Sequence, residues 1–343
     1  MKTLSGIAIA LIFFGCATND PVLSLLPLQA PTSSLLQAIS IVDDEVTWIS
    51  GHDASFIRST NSGKDWELFQ HPTGDTLQFR DLHGFDRHRV LLLSSGQGAL
   101  SRIFTFSDDS LWQENFVMED TLGFLDCLDF WNDKKGIAYG DSFDGYPYIL
   151  LTTDGGRSWH RVPKQSLPKA GPGEGGFASS GTCVTTGKNG KAWIATGAGY
   201  NCRVLLTSDY GKTWEVVESP LVKGEFAGNT SISMHGKLGF LTGGDLIKPH
   251  DYTDNHAFTK DGGHTWHLAN TSSTSGPFYG GSIVKFKNHY FSFACGPNGL
   301  DYTRDMGDQW NTLDTLNYWS VSFYENVGYA VGKAGTILKI TIN

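Results

Sequence analysis

Acidic side chains that could act in pairs are concentrated in three segments of this 343-residue chain, at 140–147, 163–176 and 244–256. Each segment separates two apolar runs and is expected to form a surface loop, where binding and catalytic residues concentrate. The three segments contribute Asp141, Glu174 and Asp245, respectively. Two carboxyl groups that flank a glycosidic bond can supply the acid and the base or nucleophile of hydrolysis. These residues are therefore the candidate catalytic groups of a neutral-glycan hydrolase, although no spacing identifies the pair.

Further side chains in and near these segments could bind a ligand without catalysing a reaction. Besides the three carboxylates, the candidate ligand-binding residues are Asp81, His83, Asp126, Asp144, Tyr252 and Asp254. Oxygen ligands in the 251–254 loop could hold Ca²⁺, although their spacing does not follow the EF-hand pattern. No other cofactor is expected, because the chain has neither a Gly-rich βαβ segment nor a haem motif. A binding protein and a hydrolase both remain open from these residues.

An eight-residue element that recurs six times must position these groups. Five copies have Ser or Thr first, Asp or Asn third, Gly fifth and Trp eighth, whereas the copy at 105–112 retains only Thr and Trp. The short side chain should accept backbone N–H bonds in a tight turn, Gly permits a positive φ, and Trp anchors the turn. The element is therefore predicted to be structural. Its residues are Asn61, Asp154, Asp209, Asp261 and Asp305, with Trp66, Trp112, Trp159, Trp214, Trp266 and Trp310.

The spacing of this element predicts an all-β fold, a seven-bladed β-propeller of four-stranded antiparallel blades. Successive tryptophans of the element are 46, 47, 55, 52 and 44 residues apart, with four short strand patterns in each interval. Repeats of that length are typical of propellers. A seventh repeat ends at Asn343 before a fourth strand can form, so a strand at about 22–30 is predicted to close the ring. Residues 36–343 are thus one domain, preceded by a tether at 16–35 that includes the closing strand.

This topology predicts two different faces for the disc. The turn between the third and fourth strands of each blade holds the repeated eight-residue element. We call this eight-residue element the box and the side of the disc that carries it the box face. The loops between the second and third strands and between blades lie on the opposite side, the loop face. All three acidic segments are expected there, with Asp81, His83 and Asp126 near the mouth of the central channel.

The N-terminus predicts export. Residues 1–15 contain Lys2 and an apolar stretch of eleven residues, which is too short to span a bilayer and is typical of a signal peptide. The Gly-Cys pair that follows resembles a bacterial lipobox, which implies that Cys16 carries the lipid. We therefore expect a monomeric protein of the bacterial cell envelope, an outer-membrane lipoprotein or a periplasmic protein, that meets the membrane only through this lipid.

The net charge restricts the class of partner that the chain can bind, and the cysteine content predicts how its thiols are used. The net charge is −9, so the chain has no electrostatic drive towards nucleic acid, and the expected partner is an envelope protein or a glycan. The remaining cysteines are scattered without a C-x-x-C motif, and they are expected to be small buried apolar residues. A bridge between Cys183 and Cys202 is an alternative that their spacing does not support.

The repeated element resembles the Asp-box, or BNR, repeat of sialidases, sortilin-type receptors and related propellers. The phrases at 46–51, 153–159 and 329–337 resemble the bacterial group related to photosystem II stability and assembly factors, and those at 172–183 and 243–249 resemble an exported subgroup of it. The resemblance implies a binding or assembly role and supplies no catalytic residues. The Phe-Arg-Ile-Pro signature of sialidases is absent, and the acidic loops would repel an anionic sugar. The expected function is binding or scaffolding through the loop face, with glycoside hydrolysis as the alternative.

Overall fold

The computed structural model describes residues 20–74, 76–108 and 111–343, and these residues form seven four-stranded antiparallel sheets. The predicted seven-bladed β-propeller is confirmed. The predicted signal peptide at 1–15 and the lipidation site Cys16 lie outside the described residues. Among the described residues, no helix is long and apolar enough to cross a membrane.

The first four blades follow one another along the chain, and each is built from four consecutive strands. Strand β1 (Leu23–Gln29) belongs to the last blade, so the strands of blade 1 are numbered from β2. The strands of these blades are β2 (Leu36–Ile41), β3 (Thr47–Gly51), β4 (Ser55–Ser59) and β5 (Glu67–Gln70); β6 (Phe79–Gly84), β7 (Arg89–Ser94), β8 (Arg102–Ser107) and β9 (Leu111–Val117); β10 (Leu125–Phe130), β11 (Gly136–Phe143), β12 (Tyr146–Thr152) and β13 (His160–Arg161); and β14 (Val184–Thr186), β15 (Ala192–Thr196), β16 (Arg203–Thr207) and β17 (Glu215–Glu218).

The last three blades complete the ring. Their strands are β18 (Ala227–His235), β19 (Leu238–Asp245), β20 (His256–Thr259) and β21 (His267–Leu268); β22 (Gly280–Phe286), β23 (His289–Gly296), β24 (Gly299–Thr303) and β25 (Asn311–Asp314); and β26 (Tyr318–Tyr324), β27 (Val327–Gly332) and β28 (Thr336–Ile342), joined by β1. Short 3₁₀ turns occur at Gly98–Leu100, Lys164–Ser166, Lys188–Gly190 and Lys333–Gly335.

The predicted closing strand is confirmed. β1 pairs with β28 in an antiparallel register that runs from Leu23 opposite Ile342 to Gln29 opposite Thr336. The first segment of the described chain therefore supplies the outer strand of blade 7. This pairing satisfies the edge of β28, which would otherwise expose unpaired backbone groups.

The hydrophobic core lies between adjacent blades and not inside a single sheet. Between blades 1 and 2, for example, the buried rings of Trp48, Phe56, Phe79 and Phe104 pack together. The second strand of a blade is covered on both faces, and every residue of β3 is buried. The fourth strand is the exposed edge of its blade, as in β5, where Glu67, Leu68 and Gln70 are exposed.

The repeated element forms the tight turn that its composition predicts. In the copy at 207–214, Asp209 Oδ1 accepts hydrogen bonds from the backbone N–H groups of Lys212 and Thr213, both at 2.9 Å. Gly211 has a φ of +80° and donates its N–H to Thr207 Oγ1 at 3.0 Å. Burial alone would raise the pKa of Asp209, but the hydrogen bonds from Thr213, Thr207 and Lys212 lower it to about 2. These bonds explain why the short acidic residue recurs at this position.

Segment 140–147 differs from the loop that was expected. β11 and β12 continue through it as a two-stranded hairpin, and Phe143 pairs with Tyr146 across the turn. Asp144 has a φ of +56° and Gly145 a φ of +78°, the conformations that a tight hairpin turn requires. The blade is therefore extended towards the loop face as a rigid ribbon.

Candidate functional site

A glycine- and serine-rich segment, residues 175–181, lies across the central channel, and we call it the channel plug. It begins beside blade 4, where Gly175 and Gly197 exchange backbone hydrogen bonds of 3.0 and 2.9 Å. Across the channel, Gln37 Nε2 of blade 1 donates to Ser179 O at 3.2 Å. Ser320 Oγ of blade 7 donates to Ser180 O at 3.0 Å. The plug is therefore held by backbone bonds at blade 4 and by side chains of blades 1 and 7 on the opposite side of the ring.

Further bonds connect the plug to blades 2 and 6. Arg80 Nη1 of blade 2 donates to Ala178 O at 3.3 Å. The hydroxyls of Ser179 and Ser180 donate to Tyr279 O, which precedes β22 of blade 6, at 2.9 and 2.8 Å. Because the backbone carbonyls and hydroxyls of the plug are paired with so many blades, the segment is part of the scaffold.

Glycine is required where the plug contacts buried carboxylates. A Cβ on Gly176 would lie 2.6 Å from Asp126 Oδ2, and a Cβ on Gly181 would lie 2.3 Å from Asp81 Oδ1. Gly181 also has a φ of +70°. Larger residues at these two positions would push the segment out of the channel.

A disulfide fixes the end of the plug. Cys183, two residues after it, is bonded to Cys127 on β10, the inner strand of the neighbouring blade. The expectation that these cysteines are separate buried apolar residues was wrong, and so was the alternative bridge to Cys202. The pair is separated by 56 residues in sequence but has a Cα–Cα distance of 5.9 Å, because blades 3 and 4 place their inner strands side by side. Cys202 and Cys295 are free and buried.

Glu174, the residue before the plug, is enclosed in an ion pair. Arg203 donates from Nε to Oε1 at 2.9 Å and from Nη2 to Oε2 at 2.5 Å. Thr196 Oγ1 donates to Oε1 and the Gly171 N–H to Oε2, both at 2.7 Å. Both carboxylate oxygens are thus occupied, and the side chain is only 1% exposed. This geometry positions the loop and leaves no oxygen of Glu174 for a substrate.

Two acidic groups contact the start of the plug at Gly176. Asp141 Oδ1 accepts the Gly176 N–H at 3.0 Å, and burial raises the pKa of Asp141 to about 6. Asp126 is 1% exposed, and its pKa is raised well above the usual value by burial and by the nearby Asp141. Among the described residues, Asp126 Oδ2 and the Tyr139 hydroxyl have no hydrogen-bond partner. Asp126 is therefore covered by the plug. The sequence had suggested that Asp126 lies near the channel mouth, and it does not line that mouth.

The remaining loop-face candidates are spread over two blades. Asp144 forms an ion pair with Lys164, and Asp245 Oδ2 forms one with Lys248 Nζ at 2.9 Å. Tyr252 and Asp254 are exposed on the loop between β19 and β20. In the same loop Asp251 Oδ1 accepts bonds from the N–H and hydroxyl of Thr253. No group of three or more His, Cys, Asp or Glu side chains within the described ranges is arranged to hold a metal ion.

Asp81 and His83 lie on the other side of the plug. Both line a cavity of about 290 Å³ that is bounded by Gly181 and Thr182 and by the later residues of the inner strands. Because each inner strand runs from the loop face to the box face, this cavity faces the box side. Their expected position at the loop-face mouth was therefore wrong, and the reason is that the plug divides the channel.

The loop-face mouth is an aromatic cavity of about 210 Å³, which we call the mouth cavity. The rings of Tyr279 and Trp319 are 4.4 Å apart between centroids and form one wall. The plug forms the floor. The lining residues are Arg80, Phe177, Ala178, Ser179, Leu246, Tyr279 and Trp319.

Exposed apolar side chains continue from the mouth cavity onto the loop face. Ile247 is 66% exposed and follows Leu246 of the lining, and the Leu246 N–H donates to Phe226 O at 3.0 Å. Phe226 is 47% exposed, and the neighbouring Tyr200 is 70% exposed. Such a patch around a concave centre is typical of an interaction site. Sequence reasoning missed Phe226, Leu246 and Ile247 because it examined the loops for charged residues, although the position of Phe177 within a glycine-rich run was visible.

Comparison with known proteins identifies the class as a β-propeller. The structure is similar to YCF48 from Cyanidioschyzon merolae, with a TM-score of 0.64 and 14% identity over 92% of this chain and 98% of that chain. A structure of YCF48 bound to D1 peptide has a TM-score of 0.63 and 13% identity, covering 93% and 97%. Virginiamycin B lyase from Staphylococcus aureus has a TM-score of 0.62 and 12% identity, covering 94% and 100%.

These structural neighbours agree with the expected resemblance to photosystem II assembly factors at the level of the fold. No family model matches the sequence, and no curated protein does. An assembly factor and a lyase share this architecture, so the fold alone does not select a function. The residues of the mouth cavity and of the loops around it are the features that can distinguish between functions.

Proposed function

We propose that this protein is a binding module whose loop face holds an extended segment of a partner protein, as in an assembly or scaffold role. The observation that carries the proposal is the mouth cavity, an aromatic depression on a floor that several blades hold in place. Its 210 Å³ suit one large apolar side chain of the partner. A rigid pocket that takes one anchor residue is the usual energetic centre of a protein interface.

The charge around the cavity selects the partner further. Arg80, the cation of the cavity lining, is bonded to Gln78 Oε1 and to the Ala178 carbonyl of the plug. The nearby loops carry the exposed carboxylates of Glu225 and Asp254, whereas Lys164 and Lys248 are already paired with Asp144 and Asp245. Basic side chains next to the anchor would complement this rim and would increase the rate of association. The proposed ligand is therefore a segment with an aromatic or leucine anchor beside Lys or Arg. YCF48 provides a parallel, since one of its structures contains a bound peptide.

The hydrolase alternative draws less support from the geometry. Both carboxylate oxygens of Glu174 are hydrogen-bonded, and Asp141 lies behind the Gly176 backbone. Asp245 belongs to a different blade from Asp141 and is paired with Lys248. A carboxylate pair that flanks a glycosidic bond needs two groups open to the substrate. Hydrolysis of a neutral glycan that is lost in Asp141→Asn or Asp245→Asn would nevertheless restore this alternative.

A peptide-display selection against the folded protein tests the binding proposal. We expect enriched peptides to share an apolar anchor beside basic residues and to lose at least tenfold in affinity for Trp319→Ala, since a truncated anchor contact costs about 2 kcal/mol or more. Tyr324→Ala is the matched control, because Tyr324 is an exposed aromatic residue of the same strand at its box-face end. Equal loss in both variants, or enriched peptides without an anchor, would contradict the proposal.

We further propose that the module is exported and attached to the envelope through lipidated Cys16. The sequence of residues 1–16 supports this, and so does the Cys127–Cys183 disulfide, because such bonds persist in oxidising compartments. Metabolic labelling with palmitate tests it: the full-length protein should incorporate the label and Cys16→Ala should not. An unlabelled wild-type protein would refute the anchor.

A further inference from the structure

The box-face half of the channel contains a ring of polar side chains, one from the equivalent position of each inner strand. Each ring residue is paired in register with the central part of the second strand, as Ser40 is with Trp48 and Thr185 with Trp193. All seven line the 290 Å³ cavity on this side of the plug, which we call the channel well. The ring residues are Ser40, His83, Asp129, Thr185, Ser233, Ser282 and Ser322.

Contacts between blades explain part of this ring. Ser40 Oγ accepts the Gly84 N–H and Ser233 Oγ accepts the Ile283 N–H, each at 2.9 Å and each from the next blade. Asp129 Oδ2 accepts the Thr186 N–H at 2.7 Å in the same way. These three residues therefore connect neighbouring inner strands.

The other hydroxyls have no such role. Thr185, Ser282 and Ser322 are half-buried on the wall of the well, and within the described part of the chain no hydrogen bond engages their side chains. Ser40 and Ser233 accept a bond but retain their own O–H hydrogens. Five hydroxyl donors thus line one cavity that is closed by the plug at its inner end.

The charges that face the well favour a neutral ligand. Asp81 accepts bonds from the N–H groups of Leu82 and Leu128, so its oxygens are directed into the wall. Burial, with a smaller effect of Arg89, lowers the pKa of His83 to about 4, so its ring is neutral at pH 7 with one donor and one acceptor. Asp129, the carboxylate of the ring, accepts the Phe130 N–H at Oδ1 and the Thr186 N–H at Oδ2. The lining contains no Lys or Arg to attract an anion.

We propose that the channel well is a binding site for a small neutral polyol of the monosaccharide class. Its hydroxyls would pair with the ring, and its C–H faces would contact the half-buried Ile39 and Ile41. The volume of about 290 Å³ lies at the lower end of the roughly 300–1,000 Å³ of small-molecule sites, and therefore suits one sugar ring. The plug closes the inner end, so the ligand enters and leaves from the box face.

Ligand-observed NMR with glucose, galactose, N-acetylglucosamine and glycerol, together with protein-observed NMR of the histidine rings, tests this site. We expect at least one sugar to bind the full-length protein at millimolar concentration and to shift the ring resonances of His83, which His83→Gln identifies. Thr185→Val combined with Ser282→Ala and Ser322→Ala should weaken binding at least tenfold, since three hydrogen bonds are lost. Thr312→Val, an exposed position on outer strand β25, is the matched control.

Two results would overturn the proposal. One is the absence of binding by all four compounds to the wild-type protein, which would assign the ring to water. The other is binding that the triple variant retains or that leaves the His83 resonances unchanged, which would place the sugar elsewhere. If the triple variant does not fold, Ser282→Ala alone with the His83 resonances gives the same decision. The peptide site on the loop face is tested separately and does not depend on this outcome.

Discussion

Replacing Glu174 by glutamine should destabilise the protein strongly, because this buried carboxylate compensates the guanidinium of Arg203, which is only 15% exposed. Its two oxygens accept four hydrogen bonds, two from Arg203 and one each from Thr196 and Gly171. If the glutamine oxygen keeps the bonds from Thr196 and Arg203 Nε, its NH₂ group must face the Gly171 N–H and Arg203 Nη2. Both of those groups are donors, so two bonds are lost and the charge of Arg203 remains uncompensated.

The expected loss follows from this geometry. Removing one partner of a buried ion pair costs about 3–5 kcal/mol, whereas an exposed pair contributes about 1 kcal/mol or less. Glu218→Gln is the matched control, since Glu218 pairs with Lys223 but is 66% exposed. Urea unfolding followed by tryptophan fluorescence should show a large decrease in the unfolding free energy for Glu174→Gln and almost none for Glu218→Gln.

A double-mutant cycle separates the ion pair from general damage to the loop. Arg203→Met should cost a similar amount alone, because it leaves the Glu174 charge buried without its partner. The double variant should lose less than the sum of the single changes. A loss below about 1 kcal/mol for Glu174→Gln would refute the structural role argued from the buried-pair cost. A stable Glu174→Gln variant that has lost glycan hydrolysis would return Glu174 to catalysis.

Two further predictions concern the base of the plug. Cys127→Ala with Cys183→Ala should lower the unfolding free energy by up to about 4 kcal/mol, the loop-closure value for 56 residues, as measured by urea unfolding; a variant as stable as the wild type would show that the bond does not constrain the plug. Asp141→Asn should change how the unfolding free energy depends on pH. The pKa of Asp141 is raised from 3.8 to about 6 in the folded protein. Its carboxyl group therefore contributes stability that is fully present below pH 3.8 and is lost as the pH rises to about 6. The stability of Asp141→Asn relative to wild type should therefore rise between pH 4 and 6 and stay constant above, and a difference that does not vary with pH would contradict the burial of this carboxyl group.

The fold was predictable because its signals are local and repeated. The turn residues Asp209 and Gly211 recur at equivalent positions in other blades, and each copy specifies its own hydrogen bonds within five residues. The closing strand was also predictable, since a blade that ends at Asn343 lacks one strand and 22–30 has the required apolar character. These inferences needed only the blade count and the cost of an unpaired edge.

The candidate site was less predictable because it depends on contacts between distant residues. Gln37 and Ala178 are 141 positions apart, and nothing in either local sequence indicates that they meet across the channel. Glu174 looked like a free loop carboxylate because its partner Arg203 belongs to a strand 29 residues later. The glycine-rich run at 175–181 belongs to the phrase that resembles the exported subgroup, but its composition alone does not distinguish a mobile loop from a plug.

The plug gives the two halves of the channel different chemistry. On the loop face it presents Phe177 and Ala178 to an aromatic cavity, whereas towards the box face Gly181 and Thr182 close a well lined by hydroxyls. A segment that is bonded to blades on opposite sides of the ring cannot leave the channel without breaking many of these bonds together. We therefore expect that no solute passes through the disc. Because the plug separates the two cavities, each face can bind a different ligand.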